Sequence, residues 1–244
     1  MSTVNRSSVN DNLLIYIDPA NPNSYVGSGV NVIDLSRSKT FNMSLLNGVL
    51  VNNYNGGVFT LDGIDDNVES NISMNGKIVE NMTFDVWFRR TQDMNVFNMV
   101  FSCGAIPYLA FRGAGAGVNT NKFLFSYYTR IGGVSTQRLL YSTNTYSNNI
   151  WYNVVSTLSF NLTTQVNESK IYINGVFDNI LTLGSSTDNI LQANAAQRLR
   201  LGNYPDSQPY PFKGDIGSFK IYNKLLSADE VLNNYTITKS RFGL

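Results

Sequence analysis

Short stretches of alternating or continuous apolar residues, each closed by Asn, Gly, Asp or Pro, recur along almost the whole chain. This pattern is typical of β-strands joined by tight turns, because successive side chains of a strand point to opposite faces. The clearest stretch is 83–90, in which Phe and Val residues alternate with Asp85, Trp87 and Arg89. Asn174 and Gly175 separate two further stretches and predict a two-residue hairpin turn with positive φ at both positions. The chain is therefore predicted to be all-β.

The predicted strands lie within a chain of 244 residues, a length that all-β sandwiches often reach as one domain. They cover residues 13–18, 58–61, 67–70, 83–90, 98–103, 108–112, 123–129, 137–142, 151–160, 170–173, 176–181, 198–202 and 215–222. One helix is predicted near the C-terminus, where Ser227 and Glu230 have the spacing of a capping box. Many short strands and one late helix favour two antiparallel sheets packed face to face, with one short C-terminal helix.

No linker or break in composition divides the chain, so we predict one domain over residues 11–244. Residues 1–10 form a polar leader, which is either a docking arm or a frayed terminus. The leader lacks the apolar centre of a signal peptide, and no stretch approaches the length of a membrane span. We therefore expect the protein to be made and folded in a cytosol.

Composition excludes several classes of function. The chain has no histidine, which rules out Ser–His and Cys–His catalysis and every histidine-ligated metal site. Its net charge is +1 and it has no run of basic residues, so neither nucleic acid nor a membrane is an expected partner. Cys103 is the only cysteine and lies in an apolar stretch, where a buried, inert thiol is expected rather than a nucleophile.

Three aspartates form the best candidate metal site. Asp62, Asp65 and Asp66 surround Gly63 in one short loop, and carboxylate oxygens are the ligands that calcium prefers. The alternative is a tight turn in which aspartate side chains accept hydrogen bonds from backbone N–H groups while Gly63 takes positive φ. Ca²⁺ is therefore the candidate cofactor, with a purely structural turn as the other interpretation.

The loop 204–210 is the best candidate carbohydrate site. Sugars present C–H faces and hydroxyl groups, so their binding sites combine aromatic rings with amides and carboxylates. Tyr204, Asp206, Gln208 and Tyr210 supply these groups, between prolines that stiffen the loop. Tyr108 is a further candidate. The alternative is that these side chains only pack the loop.

Several segments, in order, resemble the motifs of concanavalin A-like and laminin G-like jelly rolls. They are Phe-Thr-Leu-Asp-Gly-Ile-Asp-Asp at 59–66, Phe-Asp-Val-Trp-Phe at 84–88, Trp-Tyr-Asn-Val-Val at 151–155, Lys-Ile-Tyr-Ile-Asn-Gly at 170–175, Phe-Lys-Gly-Asp-Ile at 212–216 and Phe-Lys-Ile-Tyr-Asn at 219–223. The resemblance runs from about Leu13 to Tyr235 and implies a two-sheet jelly-roll sandwich. Where many such relatives have Asp-Glu, this chain has Gly217 and Ser218.

Glycosidases occur among such jelly rolls, and their retaining members place two carboxylates about 5 Å apart. The chain has four glutamates, Glu69, Glu80, Glu168 and Glu230. None lies two residues from an aspartate within a predicted strand, and Glu230 belongs to the capping box. We therefore predict no catalytic residues and no enzymatic activity.

The C-terminal residues 234–244, which contain Arg-Phe-Gly-Leu at the end, resemble the endings of such domains in virion structural proteins of tailed bacteriophages. This resemblance implies a non-enzymatic structural or decoration protein of the capsid or tail, located in the virion. Other virion proteins, further copies of the chain in a homo-oligomer and a surface glycan are the implied partners. The alternative is a stand-alone carbohydrate-binding lectin, and a glycoside hydrolase is the remote one.

Overall fold

The computed structural model describes residues 8–77, 81–103, 107–131, 134–160, 167–183, 197–204 and 210–244. In these residues the strands are β1 (Leu13–Ile17), β2 (Asn31–Val32), β3 (Met43–Leu46), β4 (Leu50–Asn52), β5 (Val58–Asp62), β6 (Asn67–Ser73), β7 (Asn81–Gln92), β8 (Phe97–Cys103), β9 (Tyr108–Arg112), β10 (Phe123–Ile131), β11 (Val134–Tyr141), β12 (Tyr152–Phe160), β13 (Asn167–Ile173), β14 (Val176–Leu183), β15 (Arg198–Leu201) and β16 (Lys213–Tyr222). The α-helix α1 covers Ala228–Thr238, and short 3₁₀ helices cover Tyr54–Gly56, Gly117–Asn119 and Lys239–Phe242.

The strands form two antiparallel sheets. Sheet I has the order β14-β13-β12-β7-β16-β5-β4, and β1 pairs with the far end of β16. Sheet II has the order β11-β10-β9-β8-β15-β6-β3-β2. Strands that are distant in sequence are neighbours in both sheets, which is the connectivity of a jelly-roll sandwich. The predicted fold class, an all-β sandwich with one short C-terminal helix, is confirmed.

The core between the sheets is rich in phenylalanine. Phe84 of β7 stacks on Phe101 of β8 with ring centroids 5.4 Å apart, and Phe101 contacts Phe219 of β16 at 5.1 Å. Phe88 meets Phe123 edge to face at 5.4 Å. All five rings are fully buried, so aromatic contacts join the central strands of one sheet to those of the other.

The structure bears out the local turn and cap predictions. Asn174 and Gly175 have φ of 51° and 79°, and Ile173 pairs with Val176 across the hairpin. The prediction missed β2, β3 and β4, which are only two to four residues long. The strand predicted at 83–90 extends over Asn81–Gln92. The division at residue 10 stays a prediction.

The outer face of sheet I is covered by the C-terminal segment. The indole of Trp87 stacks between Tyr235 of α1, at 5.7 Å, and Phe242, at 4.2 Å. Trp151 contacts the same Phe242 ring at 4.6 Å. Both tryptophans are buried, but they lie in this separate cluster and not between the sheets.

Arg241 fixes the end of this segment to the sandwich. Its guanidinium donates to both carboxylate oxygens of Asp18 at 2.9 Å and to the backbone oxygens of Asn55 and Gly57 at 2.6 Å. Both bonds to Asp18 come from the same nitrogen, Nη1, and bonds between a charged donor and a charged acceptor are stronger than neutral ones. The Arg-Phe-Gly-Leu ending therefore closes the outer face of sheet I.

None of the helices in the described part of the chain combines the length and the apolarity that crossing a bilayer requires.

Candidate functional site: an aromatic pocket on sheet II

The face of sheet II that points away from sheet I has its own apolar residues. Leu109 of β9 points into the inter-sheet core, so its neighbours Tyr108 and Ala110 point outward, because side chains alternate along a strand. Ala110 pairs with Met99 of β8 and Leu124 of β10, and all three are buried. This outward row is covered by residues that flank the loop after β15.

A single asparagine holds both ends of that loop. The side-chain oxygen of Asn203 accepts the backbone N–H of Tyr204 at 2.8 Å and that of Tyr210 at 3.3 Å. The hydroxyl of Ser102 donates to the Asn203 carbonyl at 3.1 Å, and the N–H of Met99 donates to the Tyr210 carbonyl at 3.2 Å. These bonds attach Asn203 and Tyr210 to β8 and bring Tyr204 and Tyr210 side by side.

Four aromatic rings form a closed circle above the outward row. Tyr204 lies 5.7 Å from Tyr210 and 6.1 Å from Tyr108, with interplanar angles of 68° and 90°. Phe97 completes the circle, 5.0 Å from Tyr210 and 6.4 Å from Tyr108. The four rings lie along the wall of a cavity of about 300 Å³, at the small end of the range for ligand pockets. Its lining consists of Phe97, Met99, Tyr108, Tyr128, Gln137, Tyr204 and Tyr210.

The polar side of the pocket is ordered by Gln137 of β11. Its amide nitrogen donates to the Tyr108 hydroxyl at 3.0 Å and to the Ser126 hydroxyl at 3.1 Å. Because both amide hydrogens are used, the amide oxygen is left as an acceptor for a ligand. Burial raises the pKa of Tyr108, so its hydroxyl remains a neutral group that can donate. The pocket thus combines aromatic surfaces with oriented hydrogen-bonding groups.

Three of the five residues predicted for carbohydrate binding meet in this pocket. They are Tyr108, Tyr204 and Tyr210, whereas Asp206 and Gln208 lie outside the described residues. Sequence reasoning did not find Phe97, Met99, Tyr128 and Gln137. The missing information was strand register, since Tyr128 and Gln137 are cross-strand partners on β10 and β11.

The acidic loop has both the turn geometry and the clustered carboxylates that its sequence predicts. Gly63 has φ of 80°, and side-chain oxygens of Asp62 and Asp66 accept the N–H groups of Ile64 at 2.8 Å and Asp62 at 2.9 Å. Asp62, Asp65 and Asp66 place one carboxylate oxygen each within 4.8 Å of one another.

Asp66 is the buried member of this cluster, and its Oδ1 has no hydrogen-bond partner. Burial raises the pKa of Asp66. The three carboxylates fit the oxygen ligands that Ca²⁺ takes, yet calcium needs six to eight ligands. Two further aspartates that could have joined them are paired elsewhere, Asp18 with Arg241 and Asp215 with Arg89. The calcium site stays a prediction.

The described glutamates are all engaged in structural contacts. Glu69 pairs with Arg198 and Arg200, Glu168 with Lys170, and Glu230 with Lys224. Glu80 lies outside the described residues. Cys103 is buried in the inter-sheet core, and burial raises the pKa of its thiol well above the ordinary value. A thiol in this state is a poor nucleophile.

A comparison with known protein families agrees with the fold that the strand order shows. A family profile described as "Concanavalin A-like lectin/glucanases superfamily" matches residues 62–232. The chain belongs to the concanavalin A-like lectin/glucanase superfamily. The match spans β6 to β16 and includes the aromatic residues of the pocket. No curated protein sequence matches the chain.

Solved structures superimpose over nearly all of the chain. The receptor binding domain of botulinum neurotoxin type G matches with a TM-score of 0.62, 17% identity and coverage of 93% of this chain and 51% of that one. The binding domain of botulinum neurotoxin serotype D gives a TM-score of 0.64 at 16% identity, covering 94% and 53%. This chain therefore spans about half the length of these toxin domains.

A third structure matches this chain over its own full length. Domain 4 of AbnA, a GH43 extracellular arabinanase from Geobacillus stearothermophilus, was solved in complex with arabinotriose. It superimposes with a TM-score of 0.60 and 15% identity, covering 91% of this chain and 98% of that one. At such identities the three structures establish a shared fold.

Proposed function

We propose that this protein is a non-catalytic glycan-binding module and that the aromatic pocket on sheet II is its binding site. The observation that carries the proposal is the group of four contacting rings that line a cavity of about 300 Å³, with Gln137 oriented at its side. The family's lectin members and the arabinotriose complex of the arabinanase domain support it.

The chemistry of the pocket matches that of a sugar. A pyranose or furanose ring presents a C–H face that packs on an aromatic ring, and Tyr204 and Tyr210 offer such rings at the rim. The sugar's hydroxyls need acceptors and donors, which the Gln137 amide oxygen and the Tyr108 hydroxyl provide. The pocket is preformed in the chain alone, so binding avoids the cost of ordering it.

The test is a glycan array followed by calorimetry on Tyr204→Ala. We expect at least a tenfold loss of affinity for the glycan that the wild-type protein binds, because removal of an aromatic anchor from a pocket costs about 2 kcal/mol or more. Phe177→Ala is the matched control, since Phe177 is a half-exposed aromatic residue of β14 on the other sheet. Binding that survives Tyr204→Ala and Tyr210→Ala combined would refute the pocket as the site.

We further propose that the module is a structural or decoration component of a virion, attached to other virion proteins or to further copies of itself, with the pocket free to adhere to a surface glycan. The likeness of residues 234–244 to virion protein endings supports this setting, and so does the low overall charge. Mass spectrometry of purified phage-like particles from the source should find the chain at high copy number. Its absence there would favour a free lectin.

A further inference from the structure

Arg112 lies beside the pocket in an unusual state for a charged residue. It ends β9, and its guanidinium carbon lies 3.8 Å from the centroid of the Phe97 ring, which lines the pocket. Arg112 is only 9% exposed. The guanidinium therefore lies over the Phe97 ring in a largely desolvated position, within the range of a cation–π contact.

No described carboxylate pairs with Arg112. Its Nε is buried without an acceptor, and no ion pair or side-chain hydrogen bond forms between its guanidinium and the described residues. The contrast with Arg89, Arg200 and Arg241 is clear, since each of these meets a carboxylate. A buried cation without an anion costs free energy, and a ligand that supplies the anion removes this cost.

The opposite side of the pocket is also positively charged. Arg200 donates to the backbone oxygen of Tyr204 at 3.4 Å, and it shares the single carboxylate of Glu69 with Arg198. Cross-strand pairing places Glu69, Arg200, Ser102 and Tyr108 in one row on the outer face of sheet II. Among the described residues, the charged side chains near the pocket are thus those of three arginines and one glutamate.

We infer that the pocket selects glycans that carry a carboxylate, as in uronic or sialic acids, and that Arg112 is the residue that pairs with this carboxylate at the Phe97 side. This inference rests on the proposed glycan-binding function and names its ligand class. A planar guanidinium placed over an aromatic ring can meet a carboxylate with two parallel hydrogen bonds. A neutral sugar would leave Arg112 without a counter-ion.

The experiment compares matched acidic and neutral ligands on the full chain by calorimetry. The pairs are oligogalacturonate with its methyl ester, and sialyllactose with lactose. We expect the acidic member of the bound pair to bind at least tenfold more tightly, because its carboxylate supplies the counter-ion that the described residues do not give Arg112. Arg112→Met should abolish this preference, and Arg112→Lys should leave part of it, since lysine keeps the charge but not the planar fork.

Arg37→Met is the control, because Arg37 is an exposed arginine far along the chain from β9. Equal binding of acidic and neutral glycans, still dependent on Tyr204, would overturn the charge preference and leave the glycan-binding function intact. Absence of binding to every glycan overturns both. If Arg112→Met fails to fold, the ratio of acidic to neutral glycan affinity is compared between the wild type and Arg112→Lys. The inference requires this ratio to be lower in Arg112→Lys.

Discussion

Gly217 lies where the ring of Phe242 packs against sheet I. A Cβ atom at this position would stand 2.6 Å from Cζ and 2.7 Å from Cε1 of Phe242, closer than van der Waals contact permits. The absence of a side chain at 217 gives Phe242 its place beside Trp87.

Gly217→Ala should destabilise the protein through this contact. We expect a loss of about 1–3 kcal/mol in the free energy of unfolding, as for other overpacked sites, measured by urea denaturation. The backbone of Gly217 is not in the positive-φ region, so conformational strain contributes little. Adding Phe242→Leu to Gly217→Ala should recover part of the loss. If the double variant loses more free energy of unfolding than the two single variants together, the steric explanation is wrong.

At the scale of one element, α1 illustrates how a short motif fixes a helix end. The Ser227 hydroxyl accepts the N–H of Glu230 at 3.2 Å, and a Glu230 oxygen accepts the N–H of Ser227 at 2.8 Å. Lys224 donates to the other Glu230 oxygen at 2.6 Å. Burial acts to raise the pKa of Glu230, but the bonds from Lys224 and the Ser227 N–H outweigh it and lower the pKa below its ordinary value.

Two measurements test this cap. Ser227→Ala should lower the free energy of unfolding by about 1 kcal/mol, the usual cost of losing a helix cap. Because the pKa of Glu230 is lower in the folded state, its contribution is present above pH 4.5 and is lost as pH falls through the folded pKa. Urea denaturation in this acid range should therefore show a shallower pH dependence for Glu230→Gln. An unchanged pH dependence in that variant would contradict the assignment.

The elements that the sequence predicts well are those with a local signal. The capping box and the Asn174 turn depend on residues two to four positions apart, and the alternation in β7 repeats over many residues. Strands β2 to β4 are too short for a periodic pattern. In the pocket, loop chemistry identified Tyr204 and Tyr210, whereas Gln137 joins them only through the register of β10 and β11, which no local pattern encodes.

In the whole molecule, the two outer faces of the sandwich differ in the residues that cover them. The outer face of sheet I is covered by the chain's own C-terminal segment, in which Phe242 packs on both tryptophans and Arg241 pairs with Asp18. The outer face of sheet II carries the aromatic pocket. The described residues therefore cover one face with the chain's own C-terminal segment, and the proposed function assigns the other face to a ligand.

This division predicts that stability and binding can be changed separately. Arg241→Met should lower the free energy of unfolding by about 2–3 kcal/mol, because it removes charge-assisted bonds to Asp18 and to two backbone oxygens. Below the unfolding temperature its glycan affinity should equal that of the wild type, since Arg241 contacts sheet I and the pocket lies on sheet II. Denaturation and calorimetry on the same samples measure the two quantities.

A double-mutant cycle with Asp18→Asn measures how much the Arg241–Asp18 ion pair contributes to holding the C-terminal segment on sheet I. Residues in direct contact are non-additive, so the double variant should lose less stability than the sum of Arg241→Met and Asp18→Asn. Additive losses would mean that Arg241 acts through the backbone oxygens of Asn55 and Gly57 alone. A fall in glycan affinity that follows the loss of stability across the three variants would instead show that the C-terminal closure and the pocket form one cooperative unit and that the two faces are not independent.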